Sequence, residues 1–368
     1  MTDAVIVAAR RTPIATRGRA LASVDVSSLA AAVVSQVRAD GRDVDGVLPD
    51  VADVVLGNVM GPGGNPARIA ALAAGLGVSV PGVTVDRQCG SGLAAIIDAA
   101  VAVRADGRIR IAGGAESAST APVRSAGGVP YARAPFAPAG FADPDMVAAA
   151  EDLARHDRID RERQDAHAAR SHTRAQAARA AGRFAEEIVP VAGAAEDEAP
   201  GGIGRILSRL PPQFPEGSVT AGTSTRVSDG AAVVLLAPHG PGLVVRAHAV
   251  VGCDPALPGI GAAPAVQAVL NQAGIGENDV AAFEIVEAFA AQSLAVLDRL
   301  GIDDDDPRVC ADGGALAIGH PWGASGAVAI VRLFSRMVRA GVPAGTLGIA
   351  AASVGGGMGV AALVEVVR

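Results

Sequence analysis

Apolar positions along this chain follow two alternating rhythms. A continuous apolar run at 4–9 leads into Arg10, Arg11 and Pro13 and predicts a strand, whereas 27–38 carries its apolar residues at helical spacing. A second strand is predicted over 51–58, closed by the Gly61-Pro62-Gly63-Gly64 turn and a helix over 66–74. A strand over 83–88, a helix over 90–104 and a strand over 108–112 follow, the last ending in Gly113-Gly114-Ala115-Glu116-Ser117. Strands alternating with helices imply a parallel sheet with helices on its faces.

From 119 to about 225 the rhythm breaks. Pro and Gly crowd 122–144, one polar helical segment is predicted over 146–182, and the stretch reads as an excursion from the sheet. The α/β pattern returns at 228–237. It then repeats: strand 243–251, helix 263–272, strand 280–286, helix 290–300, a Gly313-Gly314 turn, helix 324–339 and two terminal strands. Cys89-Gly90-Ser91-Gly92-Leu93 is echoed by Gly323-Ala324-Ser325-Gly326-Ala327, each opening an apolar helix. That echo predicts an internal duplication whose helices meet at a pseudo-twofold axis. The charge-free stretch 345–364 could pass for a membrane span, yet its Gly355-Gly356-Gly357 break predicts two buried strands around a tight turn.

The chain's 368 residues suffice for about two domains, and a composition half hydrophobic but 2% aromatic points to a core of small aliphatic side chains. A net charge of −7 gives no general attraction to nucleic acid or anionic membrane. Every basic residue is arginine, suited to bidentate binding of phosphate or carboxylate. Three scattered cysteines make neither a disulfide framework nor a metal site, and the N-terminus lacks a signal-peptide layout; a cytoplasmic protein is expected. Among the cysteines, Cys89 stands at a strand-to-helix turn, where the helix N-terminus is expected to favour its thiolate.

These residues resemble the thiolase family of acyl-CoA acyltransferases over nearly the whole chain. The entry strand to Pro13, Asp53–Asn58 with Asn65-Pro66-Ala67-Arg68, and Cys89-Gly-Ser-Gly92 are similar to the family's opening strands and nucleophile motif. Arg161–Asp165, Gly182-Arg-Phe184, Glu187–Pro190 and Val219-Thr-Ala-Gly222 resemble its loop domain. Gly313–Gly326 resembles its histidine motif and Gly355–Gly359 its terminal glycine loop. The resemblance implies an α/β fold of duplicated βαβαβαββ halves in a layered α-β-α-β-α core: an N-terminal half, 1–118, completed by 226–240; an inserted coenzyme A-binding loop domain, 119–225; and a C-terminal half, 241–368. It implies acyl transfer on acetyl-CoA or 3-ketoacyl-CoA thioesters through an S-acyl Cys89, with His320 as base and the N–H groups of Cys89 and Gly355 as oxyanion donors. Met146, Ala221, Gly222, Thr225, Arg226 and Phe289 are expected at the substrate and coenzyme A, which is substrate rather than resident cofactor. No metal is expected. A homodimer is expected by the same resemblance, with a tetramer left open.

Two positions depart from the family pattern. Val286 stands where the family has an asparagine that holds an oxyanion-hole water, and Ser353 stands where it has a second, proton-transferring cysteine. Acylation of Cys89 survives both changes in this reading, while carbon–carbon bond formation is weakened. Two alternatives stay open: an acyltransferase or thioester hydrolase that acylates Cys89 without efficient carbon–carbon chemistry, and a non-catalytic acyl-CoA-binding homologue. Trp322 is expected to pack beside His320. The Asp303–Asp306 run is a minor cation candidate, and Arg205, Arg209 and Arg226 are candidates for coenzyme A phosphates.

Overall fold

The computed structural model describes residues 3–42, 46–198 and 203–368. The first half runs β1 (Val5–Arg11), β2 (Ala15–Thr16), α1 (Val26–Asp40), β3 (Asp53–Gly57), α2 (Pro66–Ala73), β4 (Gly82–Val85), α3 (Ser91–Asp106) and β5 (Arg110–Glu116). After the excursion, with its hairpin β6 (Arg124–Ala126) and β7 (Val129–Tyr131) and helices α4 (Met146–Asp157) and α5 (Arg161–Ala180), the chain returns in β8 (Ser228–Ala237). The second half comprises β9 (Gly242–Gly252), α6 (Ala262–Ala273), β10 (Val280–Ile285), α7 (Ala290–Leu300), α8 (Ala315–Ile318), α9 (Trp322–Leu333), β11 (Leu347–Val354) and β12 (Met358–Val367).

The sheet records the duplication directly. Its order is β10-β11-β12-β9-β1-β8-β5-β3-β4, so the halves join where β9 meets β1. Within the first half β3 pairs in parallel with β4 and β5, and β5, β8 and β1 follow antiparallel. The second half repeats this with β10, β11, β12 and β9; the counterpart of β4 is reduced to one parallel bridge, Phe283 to Val309. One apolar cluster packs α1 and α2 on the outer face of the first half, and another packs α6 and α7 on that of the second. A third holds α3 and α9 between them, which makes the layers α-β-α-β-α.

α3 and α9 approach through glycine. A Cβ placed on Gly92 would lie 2.8 Å from the Gly323 carbonyl oxygen and 3.1 Å from the Ala327 Cβ, and one on Gly326 would lie 2.7 Å from the Leu93 Cβ. Gly92 and Gly326 are equivalent in the sequence echo, as are Leu93 and Ala327, so each repeat meets its counterpart reciprocally. Any side chain at either glycine would force the helices apart.

Several boundaries differ from expectation. The predicted 146–182 helix is two helices, because Arg158 adopts a left-handed φ of 57° and Asp160 caps the second by accepting the Arg163 N–H. The helix predicted over 324–339 starts at Trp322 and widens into a π-helical turn over Phe334–Arg339. The excursion is pinned to the core by unexposed ions: Arg11 binds Glu187 at 2.7 Å and Asp197 at 2.6 Å, and Arg332 joins Glu187 to Asp312. Removing one member would leave a buried charge uncompensated, at a cost of roughly 3–5 kcal/mol.

Candidate active site

Cys89 occupies a turn fixed by its neighbours. The Ser91 hydroxyl accepts the Arg87 N–H at 2.8 Å and donates to the Gln88 carbonyl at 2.6 Å, while the Asp86 carboxylate accepts the Gln88 N–H at 2.8 Å. Gln88 is held at φ 45°, a left-handed conformation costly for a residue with a side chain. The strained turn presents Cys89 to the second half. There His320 lies between α8 and α9, its N–H donating to the Arg226 carbonyl at 3.0 Å.

His320 Nε2 lies 3.3 Å from Cys89 Sγ, and Nδ1 lies 2.6 Å from the Ser325 hydroxyl. Ser325 spends its single proton on the Pro321 carbonyl, at 2.9 Å. It therefore accepts from Nδ1, which assigns the proton to Nδ1 and leaves the Nε2 lone pair facing the thiol. That is the arrangement of a base poised on a nucleophile.

Burial sets both groups' resting state. It lowers His320 to about 4 and pushes the Cys89 thiol up to about 12, against the Cys89 and Gly355 N–H groups that favour the thiolate. Desolvation outweighs the helix N-terminus that was expected to favour the thiolate, so both partners rest neutral at pH 7. The thiolate arises as its proton passes to Nε2. Glu116, pushed up to about 7 by burial, braces the site from behind: its carboxylate accepts the N–H groups of Val59, Met60 and Gly323 and the Asn58 amide.

The two departures are structurally distinct. Val286 is buried in the central cluster with only backbone polar atoms, its N–H donating to the Ala351 carbonyl at 2.9 Å. The Ser353 hydroxyl donates to the Gly259 carbonyl at 2.6 Å and accepts the Ala262 N–H at 3.0 Å. Gly355 opens the turn between β11 and β12.

On the excursion side, Thr225 donates its hydroxyl to the Ala315 carbonyl at 2.6 Å and its N–H to Ala288. Arg226 donates to the Ala317 carbonyl at 2.8 Å and to the Thr16 hydroxyl at 3.1 Å; burial lowers its pKa. Thr225 and Arg226 thus brace α8, which leads into His320. Half-buried Phe289 packs with Ala150, Ala154 and Val219, and half-buried Met146 begins α4. Ala221 is exposed, and Gly222 is buried against Leu207 and Leu210. Arg209 is exposed, and the side chain of Arg205 lies outside the described residues.

Two of the four aspartates in the acidic run bind arginines, Asp304 to Arg163 at 2.6 Å and Asp306 to Arg308 at 2.7 Å. No group of three or more metal-ligating side chains occurs among the described residues, so the cation candidate has no support. Sequence reasoning missed the role of Ser325, although a hydroxyl five residues after a histidine, in the first turn of the following helix, is a readable signal. It also missed Phe136, whose ring rests on Gly355; nothing local announced that contact.

The thiolase N-terminal domain profile matches residues 4–240 and the thiolase C-terminal domain profile residues 241–366. A Staphylococcus haemolyticus protein named putative acetyl-CoA C-acetyltransferase VraB is 39% identical, with 99% of each chain covered. The acetyl-CoA acetyltransferase of Pseudomonas aeruginosa is 40% identical over 98% of each. The crystal structure of Bacillus anthracis acetyl-CoA acetyltransferase superposes with a TM-score of 0.90 at 34% identity, covering 100% of this chain and 99% of that one. The Acat5 thiolase of Ascaris suum, solved in complex with coenzyme A, superposes at 0.88 with 32% identity over 99% and 100%. The chain belongs to the thiolase family, and its activity is that of a thiolase-type acyltransferase.

Proposed function

We propose that the chain transfers acyl groups from coenzyme A thioesters through an S-acyl intermediate on Cys89. His320 Nε2 takes the thiol proton as sulfur attacks the thioester carbonyl carbon. The oxygen gains the negative charge and is held by the N–H groups of Cys89 and Gly355. Collapse breaks the carbon–sulfur bond to coenzyme A, and the leaving thiolate recovers the proton from His320. The observation that carries this reading is the 3.3 Å Nε2–Sγ contact with its tautomer set by Ser325. The test is intact-mass analysis after mixing with acetyl-CoA: an acetyl adduct on Cys89, absent from Cys89→Ala, supports it, and no adduct on the wild type sinks it.

Coenzyme A is substrate in this proposal, consistent with its presence in the Ascaris suum neighbour. Met146, Ala221, Gly222, Thr225, Arg226 and Phe289 are proposed to line its approach, within a loop domain spanning 119–225 between halves 1–118 with 226–240 and 241–368. Cytoplasmic residence is proposed on the three unpaired thiols; among the described residues no helix is long and apolar enough to cross a membrane. The proposed assembly is a homodimer. Its support is the free edge of β4, flanked by exposed Val78, Val83, Ile69 and Leu72.

A further inference from the structure

Phe136 lies in the excursion, outside every motif of the family resemblance, yet it touches the glycine turn at the nucleophile. A Cβ placed on Gly355 would lie 2.9 Å from Phe136 Cε2 and 3.1 Å from Cδ2, and one on Gly356 would lie 3.3 Å from the Phe136 Cβ. The ring therefore rests on Gly355, while the Phe136 carbonyl oxygen and Cβ rest on Gly356, 3.2 Å and 3.3 Å from where a Cβ there would lie. The residue it touches is functional, since the Gly355 N–H faces the Cys89 sulfur.

The loop presenting Phe136 is closed at its base. The Arg133 guanidinium binds the Asp143 carboxylate at 2.6 Å and lies 4.6 Å from the Phe136 ring centroid. The Phe136 N–H is shared between both oxygens of the same carboxylate, at 3.3 Å each. One aspartate thus holds both the cation stacked on the ring and the backbone that carries it. At its start, Arg124 donates to the Val59 carbonyl, and Glu116 holds the Val59 N–H at 3.1 Å. The ring is fixed with respect to Cys89 from two directions.

We infer that Phe136 sets the acyl-chain selectivity of Cys89, by closing the acyl site above Gly355 and Gly356. The inference rests on the proposed acyl-cysteine intermediate. With the acyl carbonyl oxygen held by Gly355, the first chain carbon is two bonds from that oxygen. The chain must therefore leave the carbonyl close to Gly355 and to the ring upon it. A short acyl group fits beneath a fixed phenyl ring; a longer one must displace the ring or the clamped loop.

The test compares second-order rates of Cys89 acylation by acetyl-, butanoyl- and octanoyl-CoA, read as coenzyme A release and as acyl adduct mass. The expected result for Phe136→Ala is an octanoyl-to-acetyl ratio at least about tenfold above wild type, the scale of discrimination by apolar pockets. Phe136→Leu shifts the ratio the same way by less, and Phe136→Trp lowers it. Asp143→Asn, which keeps the ring but loosens the clamp, raises it. The opposed directions of the Leu and Trp variants keep the test decisive if the Ala variant fails to fold. Ratios within about twofold of wild type in all folded variants overturn the inference, whether or not absolute rates fall, because a merely structural ring would slow every thioester alike. No adduct on the wild type with any thioester overturns the Cys89 reading and this inference with it.

Discussion

The Ser353 hydroxyl accepts the Ala262 N–H at 3.0 Å and gives its own proton to the Gly259 carbonyl at 2.6 Å. Ala262 is the first residue of α6, so Ser353 satisfies one of the N–H groups that a helix start leaves unpaired. A hydroxyl committed in this way is a helix anchor, and its proton is held more tightly than that of a thiol, which titrates near ~8.5. Ser353→Cys should raise the carbon–carbon bond-forming and thiolytic rates by about 10²–10⁴-fold, the usual scale of a positioned proton-transfer group. The acylation burst should stay as it is. Condensation and thiolysis assays beside burst kinetics check this, and unchanged carbon–carbon rates would mean that another group moves the proton. Ser353→Ala should cost about 1 kcal/mol of stability through the loss of these part-buried hydrogen bonds, measurable by denaturant titration.

The resting state of the catalytic pair fixes a pH profile. The working base is neutral imidazole, lowered by burial to about 4, and the thiol is raised to about 12. Acylation should therefore run level from about pH 8 to about pH 5 and fall only on approach to 4, where an exposed histidine would lose half its rate near ~6.5. Stability follows the same groups. In the unfolded chain His320 and His172, a buried residue of α5, take up protons near ~6.5, but burial delays this to about 4 in the folded chain. The unfolded state binds more protons between those values, so stability falls as pH drops from ~6.5 toward 4. Brief pH-jump acylation measurements on protein equilibrated at neutral pH separate the two effects. An acid limb above pH ~6 in such a jump would contradict the neutral-base assignment.

The legible parts of the sequence were those written in local chemistry. Strand and helix alternation, the Gly92 and Gly326 echo and the Cys89 turn each follow from nearby residues, and the structure realises all three. Three features did not follow from the apolar rhythm: two depend on partners far along the chain, and one on a cap between two helices that the rhythm ran together. Burial by both halves reverses the helix N-terminal preference at Cys89. The break at Arg158 is decided by the cap of the next helix. The Ser353 hydroxyl is used up by Gly259 and Ala262, more than ninety residues away. Periodicity carries no record of such pairings.

Ser325 determines which imidazole nitrogen faces the thiol. Ser325→Ala removes the acceptor for the Nδ1 proton, so the other tautomer, which turns an N–H toward Cys89, becomes accessible. The expected result is a loss of about 10- to 100-fold in acylation rate with acetyl-CoA KM little changed, because Ser325 is buried on the Nδ1 side of the imidazole, away from the thiol. Ser325→Thr keeps the hydroxyl and should retain most of the rate. Equal losses in the two variants would assign Ser325 to packing in α9.

Among the described residues the sheet ends at β4, whose only strand partner is β3. Free edges are usually blunted by charge, proline or a covering loop. Here Val83 on the strand is 43% exposed and Val78 just before it 85%, with Ile69 and Leu72 of α2 exposed beside them. An apolar edge of this kind is best satisfied by a second copy of itself, since a two-fold axis pairs the same strand with itself and closes the assembly. Sedimentation of the wild type should give twice the 36.4 kDa chain mass. Val78→Asp combined with Val83→Lys should shift it to the single-chain value at micromolar concentration, by burying unpaired charge at the centre of the interface. A dimer unaffected by both changes would place the contact on another face, and a monomeric wild type would remove the proposed assembly altogether.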